Sequence, residues 1–305
     1  MLALQLFTYL ALLVAVIAML AKALKYLTAP EHLRWELYPV PHEKGRADYG
    51  GSYLEELDWW SKPRHSDMLN EIKEMMQEIV FLKGVYHHNK RVWLSSFPFH
   101  FGLYLCIGWL GLLLIGAVGE RFGLAVAANA AIVGAIIYYL TLISGYAGLI
   151  LTGIGAAGLL IWRASDKEQR IYSSPVEYIN LSLFIITIVV ALIVHAFFDP
   201  SFVMIRGYVG SLATLSVPIA NGLMMTLEIA LISLLILYIP ISRMSHFVAK
   251  YFLYHSVRWN DKPNERGSKM EKRLATLLGE KVDWHASHIS TGKSWVEVVK
   301  ETKSE

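Results

Sequence analysis

The chemistry in this chain belongs to its histidines and one acidic residue. The 305 residues hold eleven histidines and a single cysteine, Cys106. One thiol cannot build an iron–sulfur cluster, a CxxCH haem attachment or a disulfide. Any redox role therefore needs a cofactor held by histidine, or lies in a partner chain. His100 stands in SFPFHFGLYL, near the start of an uncharged run, 97–118. His246 stands in ILYIPISRMSHFVAKY, just past another. An imidazole in hydrocarbon is costly without a partner. Two histidines at one depth on facing helices offer the paired lone pairs of bis-imidazole haem ligation. Arg243, three residues before His246, would share its helical face and meet a haem propionate. The alternative is two unrelated histidines, each bonded to a backbone carbonyl.

The elements that must position these residues are membrane spans. Hydrophobic residues make up 55% of the chain and charged ones 17%, and about 20 apolar residues cross a bilayer as a helix. Uncharged runs of that length occupy 1–21, 97–118, 122–162 and 178–198, and a fifth, 207–242, is interrupted only by Glu228. The 41 residues of 122–162 would form a helix of roughly 61 Å, about twice the hydrocarbon thickness. Basic residues decide how to divide it. With five spans and the N-terminus outside, 26 of the 28 lysines and arginines fall on the inner side, leaving Arg121 and Arg206 outside, as the positive-inside tendency asks. Six spans would put the basic tail opposite the basic segment 22–96. The expectation is an all-α membrane bundle of five helices, with the C-terminus inside. The spans are 1–21, 97–118, 142–162, 178–198 and 219–242, and 122–141 is an outer-surface or re-entrant piece. The first run reads as a retained anchor rather than a signal peptide, because it lacks a basic N-region.

The inner segments are soluble. In 22–96, Met68, Ile72, Met75, Met76, Ile79 and Leu82 recur at three- and four-residue steps among charged residues, predicting an amphipathic helix at about 66–84. The polar tail 256–305 carries Trp284 and Trp295, which suit a docking surface. His32, His42, His65, His87, His88, His255, His285 and His288 lie in polar segments, where a solvated or partner-facing role is expected. His285 and His288 have a metal-like spacing without supporting carboxylates or thiols. Lipid is the expected surroundings, and no nucleic-acid partner is.

Glu228 is the charged residue in the fifth run. On an uninterrupted helix the 18 residues from Glu228 to His246 make five turns, placing both on one face about 27 Å apart. A carboxylate there is expensive unless paired or protonated. It is expected to bond a neighbouring helix, to pair with Arg206 or Arg121, or to exchange protons at a quinone site. His195, Tyr138, Tyr139 and Tyr146 fall near the same outer side and could bond quinone oxygens.

FPFHFGLYL and IPISRMSHF resemble the two haem-bearing helices of the cytochrome b (gamma) subunit of respiratory nitrate reductase. The stretch EMMQEIVFLKGVYHHNKRVW is more similar to the membrane cytochrome b subunits of heterodisulfide reductases and sulfite-reduction-associated complexes. The resemblance covers roughly 66–255. It implies b haem and a four-helix haem-binding domain over 97–255, with His100 and His246 at the inner haem. It also implies quinone exchange on the outer side, menaquinone above all, and a cytoplasmic iron–sulfur subunit as partner. The cell's inner (cytoplasmic) membrane and a role as the quinol/quinone oxidoreductase subunit of a respiratory complex follow from the same likeness. The family's outer-haem histidines correspond to Leu110 and Glu228, neither of which suits haem, so one haem is expected. A displaced second haem on His195 and a haem-free membrane anchor are the competing readings, with a proton pathway through Glu228 a third.

Overall fold

The structure is a computed structural model, and it describes residues 1–28, 43, 45–46, 49, 55–62, 67–217, 222–254, 266–286, 289, 291–301. The expectations for His32, His42, His65, His255 and His288 lie outside these residues. In chain order the helices are α1 (Leu2–Thr28), α2 (Met68–Val80), α3 (Lys83–His88), α4 (Lys90–Arg121), α5 (Ile132–Ser165) and α6 (Lys167–Tyr172). They continue with α7 (Pro175–Phe197), α8 (Val203–Ala213), α9 (Gly222–Ile241), α10 (His246–Tyr254), α11 (Lys269–Leu278) and α12 (Trp295–Lys300). Five of them, α1, α4, α5, α7 and α9, are long and apolar enough to cross a membrane. No strand occurs among the described residues, only two isolated bridges in the tail. The chain is a multi-pass α-helical membrane protein.

It divides into two compact units, Met1–Met19 with Met76–Ser245, and Leu20–Met75 with His246–Glu305. In the first, α5 packs on α4 and α7, α4 on α8, and α7 on α9. In a bilayer, helices associate through close packing and small residues rather than through hydrophobic burial. At Gly102 an added Cβ would collide with the backbone nitrogen of Thr152, and at Gly155 with that of Phe99. These two glycines let α4 and α5 touch backbone to backbone, and they bracket His100 on its own helix and across from it. The start of α1 is tied on by polar bonds instead. Gln5 Nε2 donates to Ser216 O (2.8 Å) and the Tyr9 hydroxyl to Leu212 O (2.8 Å).

In the second unit, Arg273 Nη2 donates to Leu27 O (3.0 Å) at the end of α1. A cation suits the orphan carbonyls and negative dipole end there. Val282 and Ile289 are buried, and the Trp284 and Trp295 rings lie 6.2 Å apart, with Trp284 exposed.

Three expectations need correction. Residues 132–141 are not a separate surface piece but the first turns of the 34-residue α5, so only 122–131 is a connection. No breaker stops the helix there, and Gly134 admits the Ala125 carbonyl against its backbone. The amphipathic stretch is two helices, α2 and α3, divided where Leu82 takes a left-handed conformation (φ 52°). Lastly, α9 does not run through to His246. Pro240 lacks the amide that a helix requires, and a 3-10 turn, Arg243–Ser245, follows. The single-face argument joining Glu228, Arg243 and His246 assumed one straight helix and does not hold.

Candidate functional site

The site lies in the first unit, where α7 delivers His195 and α9 delivers Glu228. His195 Nε2 and Glu228 Oε1 are 2.8 Å apart, and neither residue has any exposed surface. The other ring nitrogen, Nδ1, lies 3.2 Å from Asp199 O. A carbonyl only accepts, so Nδ1 donates to it. That assigns the protons: Nε2 and Oε1 share one between them, and the pair is neutral as a whole whichever atom carries it.

The loop after α7 is built to hold this ring. Asp199 Oδ1 and Oδ2 accept from Met204 N (3.1 Å) and Ile205 N (3.0 Å), capping α8 at its positive end. The Tyr146 hydroxyl donates to His195 O (2.9 Å) and approaches Pro200 O (3.1 Å). Trp109 and Phe202 stand edge-on to the imidazole, with centroids at 5.7 and 4.3 Å. Two buried polar atoms of this cluster, Glu228 Oε2 and Trp109 Nε1, have no hydrogen-bond partner among the described residues. Buried polar groups are nearly always satisfied, so these two atoms are exceptions.

Of the residues expected at a quinone site, the structure brings together Glu228, His195 and, through its carbonyl contact, Tyr146. Tyr138 reaches the same loop through Ser201 Oγ (3.2 Å). Tyr139 packs on Tyr138 but is half exposed and touches none of the pair. Glu228 does bond a neighbouring helix; it does not pair with Arg206 or Arg121. Arg206 binds Glu120 Oε1 (2.8 Å) and Val126 O (3.2 Å), and Arg121 binds the Thr214 hydroxyl (3.3 Å). Asp199, Trp109 and Phe202 were missed. Asp199 had a signal, standing four residues after His195 and just before Pro200, where a helix ends and a cap begins.

An apolar cavity of about 360 Å³ is lined among others by Leu110, Leu114, Tyr208, Ile229 and Ser233. Leu110 lines this space, and Ile229 rather than Glu228 borders it. Its polar floor is a hydroxyl cluster: Thr8 donates to Leu4 O (3.0 Å) and lies 2.7 Å from the Tyr208 hydroxyl and 2.8 Å from that of Ser233. Burial pushes the Tyr208 phenol above its usual range, so it stays protonated.

At the other end of α4, His100 Nδ1 lies 2.7 Å from Ser96 O. Nδ1 therefore carries the hydrogen, and the lone pair is on Nε2, the tautomer that axial haem ligands use. The same bond is also what the structural alternative requires. His246 opens α10 in the second unit, and Arg243 sits in the 3-10 turn before it; both are exposed. A second haem on His195 does not fit, because both ring nitrogens are already engaged. Among the described residues, no group of three or more His, Cys, Asp or Glu is arranged to hold a metal ion.

No family model, no curated protein and no solved structure matches this chain.

Proposed function

We propose that the chain is the cytochrome b subunit of a membrane respiratory complex, exchanging electrons and protons with the quinone pool. The observation that carries this is the fully buried Glu228–His195 pair, one shared proton inside the bundle. Quinol oxidation releases two protons with two electrons, and the already neutral carboxylate–imidazole pair can take one of them without a net buried charge only by passing its own shared proton on as the new one arrives. The cavity beside Leu110 receives the quinol. Its oxygens meet the Thr8, Tyr208 and Ser233 hydroxyls, and a proton reaches Glu228 only by a further step, because Ile229 and not Glu228 lines the cavity.

The resemblance implies one b haem, a group that carries one electron at a time, and His100 and His246 are the residues that would hold it. With the positively charged segments inside, an iron–sulfur partner would dock on the inner segments, and quinol oxidation would send electrons inward and protons outward. The N-terminus is outside, in the cell's inner membrane. Reverse flow toward quinone is served by the same residues.

The test is reduction of the purified chain's haem by a menaquinol analogue in proteoliposomes. Glu228→Gln keeps the hydrogen bond but not the shared proton. It is expected to slow haem reduction at least tenfold with haem content unchanged. Unchanged kinetics would remove Glu228 from the reaction.

A second reading is a proton pathway without electrons, favoured by the Glu228–His195–Asp199 arrangement itself. It predicts a colourless protein.

A further inference from the structure

Four of the side chains around the apolar cavity are polar, Thr8, Tyr9, Tyr208 and Ser233, and the rest are aliphatic. All four end in a hydroxyl, and each hydroxyl owns one hydrogen. Leu4 O and Leu212 O are carbonyls and only accept. They take the Thr8 hydrogen (3.0 Å) and the Tyr9 hydrogen (2.8 Å). With its own hydrogen spent, Thr8 Oγ1 is the acceptor toward both Tyr208 (2.7 Å) and Ser233 (2.8 Å). No other arrangement fills all of these bonds with one hydrogen per oxygen. Every hydroxyl hydrogen at the cavity wall is thus turned onto the protein. The backbone adds no donor, because the lining residues lie within helices and Ile205 N is bonded to Asp199. What remains for an occupant is lone pairs. Among the described residues Tyr208 Oη and Ser233 Oγ accept from nothing, although both residues are buried.

We infer that the cavity is an acceptor-only site: it holds an apolar molecule bearing a hydroxyl, and holds the same skeleton far less well when a carbonyl replaces it. An acyl chain fills apolar space but leaves both oxygens without a hydrogen. A hydroxyl fills the space and satisfies one of them. A carbonyl brings lone pairs against lone pairs and, once buried, finds no donor. A site whose polar groups match one hydrogen-bonding pattern discriminates against the other. Resting on the quinone reading above, the form held is the quinol, and the quinone is the form let go. Thr8 sets this preference from α1, since removing its oxygen would return two hydrogens to the cavity.

The test is equilibrium binding of 1-tetralol and 1-tetralone, one skeleton with a hydroxyl or a carbonyl, to the full chain in lipid nanodiscs, corrected for partition into empty nanodiscs. Wild type is expected to bind the alcohol at least tenfold more tightly. Thr8→Ser keeps the hydroxyl and should keep that ratio. Thr8→Val keeps the volume but frees the Tyr208 and Ser233 hydrogens, and should lower the ratio at least fivefold. Tyr208→Phe combined with Ser233→Ala removes both acceptors and should abolish the preference. Equal affinities in wild type, a ratio unchanged in Thr8→Val, or no saturable binding of either probe would overturn the inference. Neither probe exchanges electrons or needs haem, so a failure here is distinct from a failure of the haem assignment.

Discussion

His195 Nε2 meets Glu228 Oε1 at 2.8 Å across the α7–α9 contact, in a place no solvent reaches. Breaking such a pair leaves its survivor buried and unsatisfied. Glu228→Ala and His195→Ala are each expected to destabilise the protein by about 3 kcal/mol. The double variant should lose clearly less than the sum of the two, because the second change removes the orphan left by the first. Thermal denaturation of the four proteins in one detergent measures this coupling. Additive losses would mean the two side chains do not share a proton.

The contact between α4 and α5 rests on missing side chains. Gly155→Leu drives a side chain into the backbone at Phe99, next to His100. Backbone collisions cost more than the usual ~1–3 kcal/mol of overpacking, so the detergent-stable yield should collapse. Gly111 has nothing within 4 Å of an added Cβ. Gly111→Ala should be neutral or stabilising, by up to ~1 kcal/mol from helix propensity. Size-exclusion profiles of the two variants separate these outcomes.

Arg206 is buried and braces the connection 122–131 through Val126 O while pairing with Glu120. Lysine is a point donor and cannot reproduce both bonds from one planar group. Arg206→Lys is expected to cost about 2 kcal/mol and to open 122–131 to protease. Unchanged cleavage kinetics would show that the loop is held by its own packing.

In the tail, Glu297 accepts from Ser294 N and from its hydroxyl (both 2.8 Å), at the start of α12. The backbone bond, then the hydroxyl, holds the carboxyl below its usual range. A folded value below the unfolded one gives stability that is present above the ordinary carboxylate pKa and lost as pH falls through the depressed value. Amide protection factors in Trp295–Lys300, corrected for the intrinsic rate, should therefore fall below about pH 4, and Glu297→Gln should flatten that dependence.

The spans were legible because hydrocarbon demands long uncharged runs, and because a five-span reading gathers 26 of 28 basic residues on one side, which favoured a single crossing for the one ambiguous run. Ends were less legible. Residues 132–141 carry no charge or breaker to show where a surface piece would stop and a helix begin. The link between Glu228 and His195 was not visible, since 33 residues and a loop separate them, and only the packing of α7 on α9 brings them together. The face shared by Glu228 and His246 was an inference from spacing that Pro240 undoes, a residue already in view. His100 and Glu228 announced themselves by cost: each is a polar group where an apolar one would have been cheaper.

The central claim is haem on His100 and His246, with the outer half given to protons. Pyridine haemochrome per purified polypeptide tests it most directly, on wild type and on His100→Ala, His246→Ala and His195→Ala. The account predicts one haem per chain, lost in the first two variants and kept in the third. No haem in wild type, two haems, or a haem lost with His195 would contradict it.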